Sequence, residues 1–228
     1  MSRIAFVAAL LLVPLLSACG DAADSASSSR IHASAADVTP PLVGSRAPGF
    51  VAHHPDGNEF RFDPASLARP VLLVFYRGGW CPYCNAQLLE LRKVETQIRT
   101  ELGYDMLFIS ADSPQTLSAG VDGNEEAAKY TLLSDNDLDA SMAYGVAFRV
   151  DDETLTRYRE YGLDLEKASG RQHHSLPVPS VFIVNTSGNI AFHYVNIDYR
   201  QRIPPELLLT AARVALDERD VRARNATD

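Results

Sequence analysis

The chain has 228 residues, 46% of them hydrophobic, with 21 Lys and Arg against 29 Asp and Glu and a formal net charge of −8. That acidic balance argues against a nucleic-acid binder, whose footprint would be a surplus of basic charge. With 22% charged residues and a mean hydropathy of −0.10, the chain is neither a polytopic membrane protein nor a disordered one. Its 3 cysteines are too few for a disulfide-stapled scaffold, so each is read individually.

Residues 1 to 19 read MSRIAFVAALLLVPLLSAC. One basic residue, Arg3, precedes an apolar run from Ile4 to Leu16, shorter than the roughly 20 residues of a spanning helix. Leu16-Ser17-Ala18-Cys19 resembles the bacterial lipoprotein signal. That resemblance implies a signal peptide over 1–18 and lipidation of Cys19, which then takes no part in redox chemistry. It also implies a periplasm-facing place in the cell envelope, held to the membrane by the lipid anchor. Gly20, rather than Asp, after Cys19 favours the outer over the inner membrane. A plain secretory signal with an incidental Cys is the alternative. Residues 19–40 are rich in Ala, Ser and Asp without apolar period and predict a flexible tether. A single domain over 41–228 follows.

Within that domain, Val71 to Tyr76 (VLLVFY) is a continuous apolar run, as expected of a central strand covered on both faces. Gly78-Gly79 breaks it, and Cys84, Leu88, Leu91, Val94, Ile98 and Leu102 recur at helical spacing, predicting a helix over Pro82 to Leu102. Pro82 suits its first position. Met106 to Ser110 reads as a second buried strand, Leu138 to Tyr144 as a short helix, and Thr154 to Lys167 as a longer amphipathic one. The stretch from Asp151 to Leu176 reads as an insertion. Two β-rich runs, 181–184 and 190–195, flank a polar turn with Gly188 and predict an antiparallel hairpin. Pro205 to Leu216 closes the chain as a helix. Strands alternating with helices predict an α/β fold, a central mixed sheet flanked by helices.

The chemistry-bearing stretch is FYRGGWCPYC, Phe75 to Cys84. A C-x-x-C where a buried strand hands over to a helix sets Cys81 at the helix N-terminus, where N–H groups and the dipole favour the thiolate. Cys84, within the first turn, is placed to attack a mixed disulfide or a sulfenic acid formed on Cys81. Trp80 shields the motif and Pro82 stiffens it. Such work needs the sulfurs within bonding reach and not sealed beneath core side chains. Structural zinc would use the same spacing, but no second C-x-x-C or paired His completes four ligands; two inert core cysteines are the other alternative, for which the strand-then-Pro placement would be a coincidence.

WCPYC after a hydrophobic strand resembles the thioredoxin superfamily, and CPYC is the pairing familiar from glutaredoxins. The longer FYRGGWCPYCNAQL, with VGSRAPGF upstream and VPSVFIVNTSGNI downstream, is similar to the AhpC/TSA peroxiredoxin-like family from about Leu42 to Leu216. The resemblance implies a thioredoxin-like fold and a cis Val178–Pro179 bond facing the thiols, with the Val178 backbone offering strand-like hydrogen bonds to a substrate. It also implies an antioxidant, thiol-dependent oxidoreductase cycling Cys81 and Cys84 without a cofactor or metal. The sequence departs from the peroxiredoxin P-x-x-x-T-x-x-C: the Cys falls on Cys84, the Thr position on Cys81 and the Pro position on Arg77, while Pro179 stands where those enzymes carry an arginine.

Two mechanisms follow. In one, a thiolate reduces a hydroperoxide, with Cys84 as attacker by the peroxiredoxin alignment and Cys81 by thioredoxin logic. In the other, Cys81 exchanges with a protein disulfide. Both need a reductant, thioredoxin-like or a membrane dithiol relay. Arg77 either lends positive charge to the site or is a solvated loop residue. A copper-binding chaperone is the alternative of another class, with His173, His174 and His193 as the nearest histidines. Asp135, Asp137 and Asp139 read as solvated helix-start acids, Tyr158 and Tyr161 as packing residues of the insertion, and Asp112 as a helix cap before Pro114 or an aid to proton transfer.

Overall fold

The computed structural model describes residues 30–121, 131–216 and 220. The expected signal peptide, Cys19 and the start of the expected tether lie outside the described residues. Among the described residues no helix is long and apolar enough to cross a membrane.

The architecture is built on β3 (Val71–Tyr76), every residue of which is buried. It runs parallel to β4 (Asp105–Ser110) and antiparallel to β8 (Ser180–Val184). With β1 (Phe50–His53), β2 (Glu59–Phe62), β5 (Thr131–Ser134) and β9 (Ile190–Val195), they form a seven-stranded mixed sheet ordered β2-β1-β5-β4-β3-β8-β9. The continuous apolar run of β3 has a simple cause. Leu73 and Phe75 enter one core with Tyr144 and Phe182, while Leu72 and Val74 enter another with Leu91, Val94 and Leu208, because successive side chains leave opposite faces of a strand.

The expected long helix after the Cys motif is α1 (Pro82–Thr96), extended by a π-helical turn over Gln97–Glu101. It packs against α6 (Pro205–Val214). The β8–β9 hairpin forms as its turn chemistry predicts. The short helix is α3 (Asp139–Ala143), with Leu138 just before it in a left-handed conformation. The helix expected from Pro114 is α2 (Pro114–Val121).

Three expectations need correction. The run from Thr154 to Lys167 is two helices, α4 (Asp152–Glu160) and α5 (Leu165–Ser169), because Gly162 turns the chain at φ +77° and Asp164 caps the second helix through the Glu166 and Lys167 N–H groups. The insertion also contributes β7 (Ser175–Pro177), which pairs with β6 (Ala147–Arg149) in a separate two-stranded sheet. Finally, residues 30–40 of the expected tether pack on the domain. His32 is buried, its N–H donates to the Ala147 carbonyl and its carbonyl accepts from Arg149 N–H. Ser34 caps a 3₁₀ turn over Ala35–Asp37. Backbone pairing of His32 and Thr39, together with Ala35 and Val38 packed against the core, fixes this segment, and such scattered contacts leave no apolar period in the sequence.

Candidate active site

β3 ends at Tyr76, and Arg77 to Trp80 form a tight loop before α1. Gly78 is required there by close approach: a Cβ would sit 2.2 Å from Trp80 Nε1 and 2.6 Å from Asp112 Oδ1. Asp112, just beyond β4, is 2% exposed and accepts from Gly79 N–H at 2.7 Å and from the Trp80 side chain. It therefore pins the loop rather than capping α2. That cap is Ser113, whose hydroxyl accepts from Thr116 N–H.

Burial raises the Asp112 carboxyl to about 6, against the opposing hydrogen bonds from Gly79, Trp80 and Ser110. A carboxyl raised on folding is tolerated while protonated and costs stability once ionised. The native protein therefore loses stability as pH rises from about 4, the ordinary Asp value, through 6, by about 3 kcal/mol. Asp112→Asn should lack that slope in chemical denaturation across the same interval, and parallel pH profiles for the two proteins would refute the assignment.

Cys81 occupies the N-cap of α1 in extended conformation, and Pro82 takes the first helical position. Its carbonyl accepts from Cys84 and Asn85 N–H at 3.0 and 3.1 Å, so the first turn folds the two thiols toward each other. Both are free. The Cys84 thiol, donating to the Cys81 sulfur, is the largest cause lowering the Cys81 thiol below its ordinary value. The Cys84 N–H, Arg77 and Arg202 add to it, and burial opposes. The same hydrogen bond, with burial, pushes Cys84 up. The pair is thus asymmetric: Cys81 holds the negative charge and Cys84 the proton. Both are covered, Cys81 being 1% exposed and Cys84 0%. The thiols interact with each other, but both lie in the core cluster that holds Leu91 and Phe108, so the expectation that they are not sealed beneath core side chains is not met.

Arg77 is not a solvated loop residue. It is 4% exposed, lies 4.3 Å from the Tyr199 ring centroid, 5.1 Å from Trp80 and 5.4 Å from Tyr158, and donates to the Tyr158 hydroxyl. Burial lowers its pKa, while the two thiols oppose that, and a guanidinium stays charged under such conditions. A cavity of about 150 Å³ beside it is lined by Tyr158, Val178, Pro179 and Tyr199 among others. Arg202, from the loop before α6, donates to Cys84 Sγ at 3.4 Å. No local pattern marks Arg202 or Tyr199 in the sequence, since each reaches the motif from more than a hundred residues away.

Other expected residues fall differently. Among the described residues no peptide bond is cis, so Val178–Pro179 is trans. The Val178 N–H donates to the Val146 carbonyl, and its own carbonyl accepts the Ser180 hydroxyl. Its backbone is spent within the fold, which corrects the expected substrate edge. The histidines of the copper alternative scatter: His173 bonds the Asn136 carbonyl, His174 meets Glu166, and His193 lies against Phe182. Among the described residues no three His, Cys, Asp or Glu side chains form a metal site. Asp135 is buried rather than solvated, accepting from Ala140 and Ser141 N–H and the Ser141 hydroxyl, and burial raises it to about 7. Asp137 pairs with Arg171, and Asp139 accepts from Val51 N–H. Tyr161 is 84% exposed and packs nothing down.

A thioredoxin-like sheet with paired thiols at the β3–α1 junction defines this protein as a thiol-dependent oxidoreductase. The chain belongs to the AhpC/TSA family, whose profile matches residues 43–193. Its fold is similar to that of a peroxiredoxin-like protein from Aquifex aeolicus, at 19% identity and a TM-score of 0.55 over 78% of this chain and 90% of that one. A thiol peroxidase from Chromobacterium violaceum is similar at 15% identity and a TM-score of 0.57, over 81% and 97% of the two chains. Peroxidoxin BcpB from Mycobacterium tuberculosis is similar at 17% identity and 0.55, over 75% and 96%. No curated protein matches the chain.

Proposed function

We propose that the protein is a peroxiredoxin-like thiol peroxidase in which Cys81 attacks a hydroperoxide and Cys84 resolves the product. The observation that carries this reading is a thiol only 1% exposed, lowered in pKa, beside a cationic Arg77 that is itself 4% exposed. Any reagent needs the site to open before it reaches such a sulfur, and hydrogen peroxide, little larger than a water molecule with its share of about 30 Å³, needs a smaller opening than a protein disulfide. The occupied Val178 backbone and the trans Val178–Pro179 bond weigh against disulfide exchange for the same reason.

In the reaction, the Cys81 thiolate attacks one peroxide oxygen and the O–O bond breaks. Sulfur loses two electrons, and the leaving oxygen takes a proton to become water or an alcohol. Arg77 lies near the charge as it moves from sulfur to oxygen. Cys84, having lost its proton, then attacks the Cys81 sulfenic acid and expels hydroxide, with the Arg202 guanidinium beside its sulfur. The resulting disulfide is reduced by an external dithiol, which we assign to a thioredoxin-like protein or a membrane dithiol relay; that step needs the oxidised site to open, since in-line attack on a sulfur has the same demand in either direction.

The test is a side-by-side stopped-flow assay of the reduced protein against hydrogen peroxide and against a model protein disulfide. Rapid oxidation by peroxide with a slow disulfide reaction is expected, and the reverse order would overturn the reading. We further propose that Cys19 anchors the protein to the envelope membrane, the outer one by the Gly20 argument. Fractionation of cells carrying Cys19→Ser should then find the protein released, and unchanged membrane association would refute the anchor.

A further inference from the structure

Arg77 poses a physical problem that the catalytic reading alone does not answer. It follows the last residue of β3, in a loop without ladder hydrogen bonds to fix its direction, and its side chain is 4% exposed. Among the described residues it forms no ion pair with a carboxylate. A buried cation without one needs other compensation. Its Nε–H is buried and unpartnered, and its one side-chain hydrogen bond among the described residues goes to the Tyr158 hydroxyl. The remaining contacts are the faces of Trp80, Tyr158 and Tyr199, which attract a cation but set its orientation only loosely.

Tyr158 is the member of this cage that supplies both a ring and a directed acceptor. It is carried by α4, and the helix is anchored independently of the thiols. Asp151 caps its start through Thr154 N–H at 2.8 Å, and Leu155 packs with Leu165, Leu176 and Val150 in a third apolar cluster whose edge Trp80 and Tyr158 share. The Tyr158 and Trp80 ring centroids are 5.9 Å apart. One turn on, Tyr161 is almost fully exposed, so burial of tyrosines is not a general property of this helix.

We propose that Tyr158 is a positioning residue for the thiol chemistry: through its hydroxyl and ring, the segment from Asp151 to Leu176 holds the Arg77 guanidinium against Trp80, the residue before Cys81 and a neighbour of the cluster that buries both thiols. The inference rests on the reading of Cys81 as the reacting thiol and adds a role for the segment that packing alone would not give. The ionisable groups acting on Cys81 are Cys84, Arg77 and Arg202, with Asp112 interacting from β4's end. Tyr158 acts only through Arg77.

The test measures the pH titration of the Cys81 thiolate by its ultraviolet absorbance, which needs no reagent to reach the buried sulfur, in the full chain and in Tyr158→Phe and Tyr158→Leu. Phe keeps the ring and loses the acceptor. Its titration midpoint should rise by about half a pH unit, a roughly threefold loss of thiolate below the midpoint, with an unchanged melting temperature. Leu should shift it further. Should Leu fail to fold, Phe decides. Unshifted midpoints in the folded variants would overturn the inference, even if the protein proves to be a peroxidase. Conversely, shifted midpoints in a protein inert toward peroxide would keep it and sink the peroxidase reading.

Discussion

Replacing Cys81 by Ser should abolish peroxide consumption, a loss of more than about 10³-fold, as expected when a nucleophile is removed. Cys84→Ser should behave differently: it consumes one equivalent of peroxide, stops, and accumulates a sulfenic acid on Cys81 that dimedone traps. The difference follows from the asymmetry of the pair, since Cys81 is lowered by the Cys84 thiol and the two arginines while Cys84 carries the proton. The serine hydroxyl at position 84 still donates to Cys81, so the first step survives. Peptide mapping of the dimedone adduct checks the assignment. An adduct on Cys84 in the Cys81→Ser protein, with none on Cys81 in the other variant, would reverse the order of attack and favour the peroxiredoxin alignment of Cys84.

Arg77→Met should cost about 10²-fold in peroxide rate at neutral pH, the size expected on removing one oriented donor at a site of moving charge. Met preserves much of the bulk among the three rings. The sign of the pH effect follows from the cause: Arg77 helps to hold Cys81 below the ordinary thiol value of about 8.5, so its removal moves the rise of rate with pH to higher values. Rate profiles between pH 5 and 9 check this. An unchanged midpoint would place the control of Cys81 in Cys84 and Arg202 alone. Arg77→Lys should restore only part of the rate, because an ammonium lacks the planar face that stacks on Tyr199, 4.3 Å away in the native cage.

The parts of this site that are local in sequence are legible there. β3, the Gly pair, the N-cap position of Cys81 and Pro82 lie within a dozen residues, and strand burial and helix-start chemistry act over that range. What surrounds the thiols is not local. Tyr158 and Tyr199 reach Arg77, and Arg202 reaches Cys84, only because the sheet order brings the β9–α6 loop and the insertion to the same end of β3. Asp112 and Ser113 are both good capping residues, and only the demand of Gly79 N–H for an acceptor divides their roles. Gly162 lies inside an otherwise periodic stretch, where a left-handed residue ends the helix that amphipathicity extends. The thioredoxin likeness misleads at Pro179, where the expected cis bond is absent and the Val178 N–H goes to the Val146 carbonyl, a pairing between distant segments that motif comparison does not weigh.

The placement of both thiols in one helical turn has a consequence for survival under oxidant. Cys84 already faces the Cys81 sulfur before any peroxide arrives, so trapping of the sulfenic acid waits for no unwinding of α1. A second peroxide molecule must outrun that closure to carry Cys81 on to the irreversible sulfinic acid. An enzyme working by the proposed cycle should withstand oxidant bursts rather than be switched off by them, which suits a scavenger better than a sensor.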